Sequence, residues 1–258
     1  DPVFYDDVAK AYGDELRSLA AAGCTYVQID DTNLAYLAKK LNDYGIQIRQ
    51  ARVVPDVERD IVDAVNALRA SHDYVFTTGG IGPTHDDITA DCIADAFGVK
   101  LVVNAEIAER IQRRPAPPDV MAARMRMARI PEGATLIDNL TGGPQGFRME
   151  NVFVMAGIPS VMQSMLSSLE GRLEGGAIVR NRAVTAHLGE STIADALRAI
   201  QSRYPAVDLG SYPFFRADRY GTTLVMRGTD ESDLDRMLAE VCAAITACGA
   251  EPEDIQRG

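Results

Sequence analysis

The clearest pattern of hydrophobic and polar positions lies between residues 74 and 98. Residues 74–78 form a short apolar run, which predicts a buried strand. A glycine-rich segment, GGIGP, follows and predicts a sharp turn with exposed backbone. Thr89 is then placed to cap a helix over residues 90–97, which Gly98 closes. The stretch therefore predicts a strand, a tight turn and a helix in direct succession.

The same alternation continues on both sides of this stretch. Upstream, Thr32 or Asn33 can cap a helix that Gly45 stops, and Asp56 can cap another. The inward positions of these helices are Leu34, Leu37, Ala38, Leu41 and Tyr44 in the first, and Ile61, Val62, Val65 and Leu68 in the second. Strands are predicted between them, at 46–54, and downstream, at 99–103. This alternation predicts an α/β fold in three layers with a mostly parallel sheet.

The second half of the chain has a different order of elements. A hairpin is predicted over residues 147–155 with its turn near Glu150 and Asn151, and a helix follows Gly157. Beyond residue 175 the pattern predicts strand, helix, two strands and a helix, at 177–187, 191–202, 207–212, 222–227 and 230–246. That order predicts a second, smaller α+β domain, which we interpret as structural or oligomeric.

The candidate functional residues lie mainly in the turn after the strand at 74–78. A strand, a glycine turn and a helix N-terminus together form a site for anions such as phosphate. Asp86 and Asp87 follow the glycines and would repel a phosphate unless a divalent cation bridges the two. The motif therefore predicts a Mg²⁺-assisted phosphate or pyrophosphate site. A tight turn carrying two solvated aspartates is the alternative interpretation.

The amino-acid composition limits the kinds of partner and environment that we expect for the chain. The net charge of −11 argues against a nucleic-acid partner, because such binding depends on cationic contacts. No apolar stretch approaches a membrane span, and we expect no secretory leader because the first residues lack its charged and apolar regions. The four cysteines lack zinc spacing and indicate free thiols in a reducing cytoplasm. The chain begins at Asp1 rather than Met, so we expect its N-terminus to be trimmed or incomplete.

The string TTGGIGPTHDDIT resembles the signature of MoaB/Mog-like molybdopterin-binding domains and is most similar to the competence/damage-inducible protein A (CinA) group. Further matching pieces are DTN at 31–33, VPD at 54–56, RIPEGA at 129–134 and MAGIPS at 155–160. The resemblance covers about residues 31–250. It implies a molybdopterin-binding domain over residues 25–174, a K-homology-like domain over residues 175–258, and assembly into a homo-oligomer.

The N-terminal segment resembles a different family. Residues 1–37 are similar to a fragment of the barrel of cobalamin-independent methionine synthase-like proteins, without that family's zinc ligands. We therefore expect no methyl transfer and no zinc binding. Residues 1–24 predict a helical segment foreign to the CinA group, and residues 26–29 predict the first strand of the sheet. The LSGR loop that the CinA group carries near this point is missing.

The motif and the resemblance together predict the site. Asp87 and Asp56 are the candidate catalytic residues, and Asp86 and Asp87 the candidate metal ligands. A helix N-cap is the alternative role for Asp56 and for Ser160. The candidate phosphate- or ligand-binding residues are Thr78, Gly79, Gly80, Gly82, Pro83, Thr84, Thr89, Asp31, Asn33, Gly157 and Ser160.

Three functions are open from the sequence. The first, which we favour, is Mg²⁺-dependent hydrolysis of a nucleotide pyrophosphate such as ADP-ribose, impaired by the atypical N-terminus. The second is adenylyl transfer to molybdopterin in molybdenum cofactor biosynthesis. The third is a non-catalytic module that binds a pterin or a nucleotide. Each of them implies a small-molecule ligand, with Mg²⁺ as cofactor or molybdopterin as ligand.

Overall fold

The structure, a computed structural model, describes residues 31–216 and 219–257. Within these residues the chain separates into two compact units, one of residues 31–36 and Val54–Ser168, the other of Leu37–Val53 and residues 169–257. The elements of the N-terminal half are α1 (Asp31–Asp43), α2 (Glu58–Arg69), β1 (Val75–Thr78), α3 (Thr89–Phe97), β2 (Leu101–Val103), α4 (Ala105–Gln112) and α5 (Pro118–Met125). They are followed by β3 (Arg129–Pro131), β4 (Thr135–Ile137), β5 (Gly146–Met149), β6 (Val152–Met155), α6 (Pro159–Ser167), β7 (Arg180–Ala186), α7 (Glu190–Arg203), β8 (Asp208–Arg216), β9 (Arg219–Gly228), α8 (Glu231–Ala247) and β10 (Glu253–Arg257).

The first unit is built on a four-stranded sheet with the order β1-β6-β5-β4. Strands β1 and β6 are parallel, with Val75 opposite Val152 and Thr78 opposite Met155. Strands β6, β5 and β4 are antiparallel neighbours, and β2 and β3 form a separate antiparallel pair. The predicted α/β class is confirmed, and the described part of this sheet is mixed. Because β1 and β6 run in the same direction, the loops that follow them leave from the same edge.

The core of the first unit joins the central strands to the helices α2, α3 and α4. Ile93 of α3 and Ile107 of α4 are fully buried in the same cluster as Val152 and Val154 of β6. The predicted hairpin at 147–155 is confirmed, and Glu150 occupies its turn with a φ of 50°. Burial on this scale is the main stabilising contribution to such a unit. It fixes β1, β6 and α3, the three elements from which the site is built.

The second unit is an antiparallel sheet with the order β10-β7-β9-β8, packed on α7 and α8. Its predicted elements are confirmed, with longer strands β8 and β9 than the sequence indicates. Strand β10 was not predicted from the sequence. All its side chains are exposed, so it has no hydrophobic periodicity that could indicate a strand. Arg182 of β7 is buried, and its Nε donates to Asp235 Oδ1 over 2.7 Å. This hydrogen bond lowers the pKa of Asp235.

One predicted strand does not form. Residues 46–54 contain no strand, and within the described residues no neighbouring strand pairs with them. Ile46 is half-buried, but the rest of the segment is exposed, and 91% of Val53 is accessible to solvent. The apolar residues at 46, 48, 53 and 54 are typical of a strand, yet a strand also needs backbone partners along its edge.

The predicted helix caps are wrong in four places. Thr32 and Asn33 lie inside α1, and Val57 rather than Asp56 occupies the N-cap position of α2. Helix α6 begins after Ile158, so Ser160 is its second residue rather than its cap. Thr89 is the first residue of α3, and its hydroxyl donates to Gly79 O over 3.1 Å instead of accepting from a helix amide. Gly98 closes α3 in the left-handed conformation, as predicted.

The remaining predictions about the N-terminus fall outside the described residues. They are the helical segment at 1–24, the strand at 26–29 and most of the segment that resembles the methionine synthase-like barrel. In the part of the chain that is described, no helix combines the length and apolar character needed to cross a membrane.

Cys92 of α3 has an environment that disfavours reaction of its thiol. Its side chain is fully buried. Burial, together with the nearby carboxylates of Glu58, Asp91 and Asp95, raises its pKa to about 11. Only about one thiol in a thousand is then ionised at pH 8, and the thiolate is the form that reacts with alkylating agents.

We therefore expect iodoacetamide to leave Cys92 unmodified at pH 8 in the folded protein and to modify it fully in urea. Peptide mass mapping reports each cysteine separately. Cys248, which is partly exposed, is the internal control and should react without urea. Equal rates at Cys92 with and without urea would contradict the structure.

Candidate functional site

The candidate site begins where β1 and β6 end side by side. The amide of Gly79 donates to Met155 O over 3.0 Å, which carries the parallel pairing one residue past β1. Gly79 and Gly80 then adopt φ values of 98° and 68°, a region that glycine enters without strain. The loop after β1 therefore turns sharply beside Gly157, whose Cα would lie 3.9 Å from a Cβ on Gly79. Two of the predicted site segments meet at this edge.

A carboxylate closes the glycine loop. Asp87 Oδ2 accepts hydrogen bonds from the amide of Thr84, at 2.8 Å, and from its hydroxyl, at 2.5 Å. Gly82 packs directly against this carboxylate, because a Cβ there would lie 2.6 Å from Asp87 Oδ2. The Thr84 hydroxyl is thus committed to Asp87, and the residue positions the carboxylate rather than presenting its own hydroxyl to a phosphate.

The first residue of α3 is hydrogen-bonded to the same loop. The amide of Thr89 donates to Gly80 O over 3.0 Å, and its hydroxyl donates to Gly79 O. Both glycine carbonyls are therefore turned toward the helix. Among the described residues, the amides of Gly80, Ile81 and Gly82 have no acceptor. Successive amides without acceptors are the donors that anion-binding loops provide.

A small cavity lies behind this loop. Arg129 Nη2 donates to Asp91 Oδ1 over 2.5 Å on its wall. Arg126 is exposed at the cavity, and within the described residues it has no carboxylate partner. The lining residues are Gly80, Ile81, Gly82, Asp87, Ala90, Asp91, Arg126, Met127, Arg129, Ile130, Gln145 and Phe147. The cavity thus combines two arginines with the glycine loop and Asp87.

The loop after β6 forms a second part of the site. Asn33 is buried and donates from Nδ2 to Gly157 O over 2.8 Å, while its Oδ1 has no partner among the described residues. Ser160 is exposed in the first turn of α6. The structure therefore connects Asn33 to Gly157, two predicted ligand residues that are far apart in sequence.

Other predicted residues lie away from the cavity. Asp56 is exposed before α2 and does not line it, and Pro83 is exposed in the loop. Thr78 is the last residue of β1. The side chain of Asp31 lies outside the described part of the chain. Asp86 is exposed, and its Oδ1 lies 3.9 Å from Nδ1 of His85.

Few protein ligands are available at the predicted metal site. The described residues contain no cluster of three or more histidine, cysteine or acidic side chains able to hold a metal ion. Asp87 is the half-buried carboxylate beside the glycine amides, and Asp91 is already paired with Arg129. Mg²⁺ commonly takes one or two carboxylates and completes its shell with water and substrate phosphates. The donor set fits a cation that arrives with a phosphorylated ligand.

Sequence reasoning missed several residues at this site. Arg126, Arg129 and Gln145 all line the cavity, and Asp91 and Glu106 hold two of them in place. Arg129 does lie in the RIPEGA piece noted above, which was the available signal. Gln145 and Glu106 lie 39 positions apart, and no spacing rule joins them.

The fold and the site define an α/β protein with a glycine loop at the carboxyl edge of two parallel strands, a place where many α/β proteins bind anions. The chain belongs to the family described as the probable molybdopterin binding domain, whose model matches residues 11–174. A second model, described as the middle domain of FAD synthase, matches residues 178–253. These models, together with the CinA-like relatives and the CinA structure given next, confirm the resemblance to the CinA group and its MoaB/Mog-like domain.

Individual relatives agree with this assignment. A protein of Archaeoglobus fulgidus is 34% identical over 185 residues, covering 72% of this chain and 79% of that protein. A CinA-like protein of Geotalea uraniireducens is 36% identical over 145 residues, covering 54% of this chain but only 34% of that protein. The crystal structure of CinA, of unknown function, from Thermoplasma acidophilum aligns with a TM-score of 0.50 and 28% identity, covering 55% of this chain and 87% of that one.

Proposed function

We propose that the chain catalyses Mg²⁺-dependent hydrolysis of a nucleotide pyrophosphate such as ADP-ribose. The observation that carries this proposal is the glycine loop, in which amides without acceptors lie beside the carboxylate of Asp87. The amides of Gly80 and Gly82 would hold phosphate oxygens. Arg126 adds a positive charge at the cavity, which suits a ligand with more than one phosphate.

In this mechanism water attacks one phosphorus atom and the bridging P–O bond breaks, so ADP-ribose gives AMP and ribose 5-phosphate. When bound, Mg²⁺ would neutralise charge on the pyrophosphate oxygens and polarise the phosphorus. Asp87 would hold the cation, and Thr84 would keep that carboxylate oriented through its two hydrogen bonds. The glycine amides would stabilise charge that develops on the phosphoryl oxygens.

The test is to incubate the purified chain with ADP-ribose, with Mg²⁺ in one arm and a chelator in the other. Chromatography then measures AMP and ribose 5-phosphate. We expect both products in equal amounts and only with the cation. Intact ADP-ribose in the Mg²⁺ arm, for a chain that is folded by circular dichroism, would reject the proposed reaction.

Adenylyl transfer to molybdopterin is the second candidate. The observation that favours it is the family model itself, which is described as a molybdopterin binding domain. Use of ATP only in the presence of molybdopterin would identify this activity. Tight binding of a pterin or nucleotide without turnover would instead identify a binding module. Self-association and the lack of a nucleic-acid partner are further parts of the proposal and rest on the resemblance and the charge.

A further inference from the structure

Gln145 has an unusual environment for a side chain beside a ligand site. It lies directly before β5 and is buried, with only 3% of the residue exposed. Its amide nitrogen Nε2 donates to Glu106 Oε1 over 2.5 Å. Its carbonyl oxygen Oε1 is shielded from solvent and accepts no hydrogen bond from the described residues. Buried acceptors nearly always have a partner, so this oxygen is a candidate acceptor for a hydrogen-bond donor of a ligand.

The orientation of the Gln145 amide is set by its neighbour. Exchanging its oxygen and nitrogen would place Oε1 against the Glu106 carboxylate, where two acceptors would repel each other. Glu106 is itself fixed in the first turn of α4, where its amide donates to Asn104 Oδ1 and its carboxylate lies 3.5 Å from Arg110 Nη2. The oxygen of Gln145, rather than its NH₂ group, is therefore the atom left without a partner.

The backbone that carries Gln145 is also held in place. Asn139 Nδ2 donates to Pro144 O over 3.1 Å, and Asn139 Oδ1 accepts from the amide and the hydroxyl of Thr141. These contacts fix the residue that precedes Gln145, while the buried ring of Phe147 anchors the strand after it. Gln145 therefore cannot easily turn away to find another partner.

The cavity that Gln145 lines admits a group of limited size. It encloses about 20 Å³, which accommodates one water-sized group. Gly80, Gly82 and Arg126 border the same space, so a ligand whose phosphates lie at these residues could reach Gln145 only with a small group. A phosphate does not satisfy Gln145, because a phosphate oxygen and Oε1 are both acceptors. The group that suits Gln145 is therefore a small hydrogen-bond donor carried by a larger ligand.

We propose that Gln145 is a specificity-determining residue whose Oε1 accepts a hydrogen bond from the exocyclic amino group of a nitrogen heterocycle. Adenine and pterin both carry such a group, and the inference rests on the proposed function only for placing a nucleotide or pterin at this site. Glu106 is a positioning residue, which acts by fixing the direction of the Gln145 amide.

The experiment measures binding by calorimetry, without Mg²⁺, so that no turnover is needed. AMP is compared with IMP, which has an oxygen in place of the amino group. Pterin is compared with lumazine, which also has an oxygen in place of the amino group. We expect the amino member of one pair to bind at least about tenfold more tightly, the scale of one hydrogen bond. The pair that shows the difference identifies which of the two sources supplies the heterocycle.

Variants test the roles of the two residues. Gln145→Met keeps the shape but removes the acceptor, so the preference should fall to about one. Glu106→Gln lets the Gln145 amide turn over and present its NH₂ group, so the preference should reverse toward the oxygen-bearing member. Gln112→Met, an exposed change on α4, is the matched control and should keep the wild-type preference.

Equal affinities within both pairs for the wild-type chain would overturn the proposal, because Oε1 would then face a buried water only. Failure to bind any of the four compounds would overturn it as well. A preference that persists in Gln145→Met would reject the residue assignment. If Gln145→Met does not fold, Gln145→Asn, which withdraws the same oxygen, decides in its place. Preferential binding of AMP without hydrolysis of ADP-ribose would reject the reaction and leave this inference standing.

Discussion

Asp87→Asn is expected to lower Mg²⁺-dependent turnover of ADP-ribose by roughly 10² or more, because the change removes a negative charge from the metal shell. The amide keeps an oxygen at the position of Oδ2, so both hydrogen bonds from Thr84 can persist. The loop should therefore remain folded while the affinity for the cation falls. Steady-state kinetics at saturating Mg²⁺ measure the loss in turnover.

Asp95→Asn provides the matched control for this prediction. Asp95 lies on the same helix, α3, but is exposed and does not line the cavity. Its neutralisation removes the same charge from the chain, and turnover should change less than about twofold. A folded Asp87→Asn protein with wild-type turnover would remove Asp87 from the catalytic site.

Gly80→Ala is expected to have the second-largest effect, on the fold and the ligand site together. At a φ of 68°, an alanine Cβ would lie 2.0 Å from Thr89 Oγ1 and 3.0 Å from Thr89 Cβ. Thr89 is buried and bonded to Gly79 O, so it cannot move aside without releasing the start of α3. We expect the free energy of unfolding to fall by roughly 2–4 kcal/mol, from the left-handed backbone and the overlap combined.

Gly133→Ala separates the two contributions. Gly133 has a φ of 86°, yet a Cβ there would meet nothing within 4 Å, so it reports the backbone strain alone. Its cost should be about 1 kcal/mol. The chain contains no tryptophan, so urea unfolding followed by far-ultraviolet circular dichroism is the suitable measurement. Equal losses in the two variants would contradict the close packing of Gly80 on Thr89.

The sequence predicted the elements that depend on local pattern. The apolar run, the glycines and Gly98 were enough to place β1, the turn and α3 in succession. The hairpin of β5 and β6 followed in the same way, because adjacent strands need only a turn between them. Asp87 also belongs to this class, since its neighbour in the site, Thr84, lies three residues away.

The rest depends on contacts that no local pattern encodes. Thr89 was predicted to cap α3, but the close approach of Gly79 gave its hydroxyl another acceptor. Residues 46–54 have the composition of a strand, but no described strand pairs with them. Arg129 reaches the cavity because β3 packs against α3, and Gln145 reaches it from the position directly before β5. Both placements are properties of the folded unit. The residues of the glycine loop could therefore be predicted from the sequence, whereas the residues of the cavity walls could not.

The pairing of β1 with β6 also governs when the site can exist. During synthesis the glycine loop leaves the ribosome early. The amide of Gly79, however, donates to Met155 O, and Nδ2 of Asn33 donates to Gly157 O, and both acceptors are synthesised later. Until the polypeptide through Gly157 has emerged, the loop has no neighbour to hold its shape, since contacts between distant residues form only when both are present. Nascent chains that stall before that point would carry the complete glycine motif and still lack a working site.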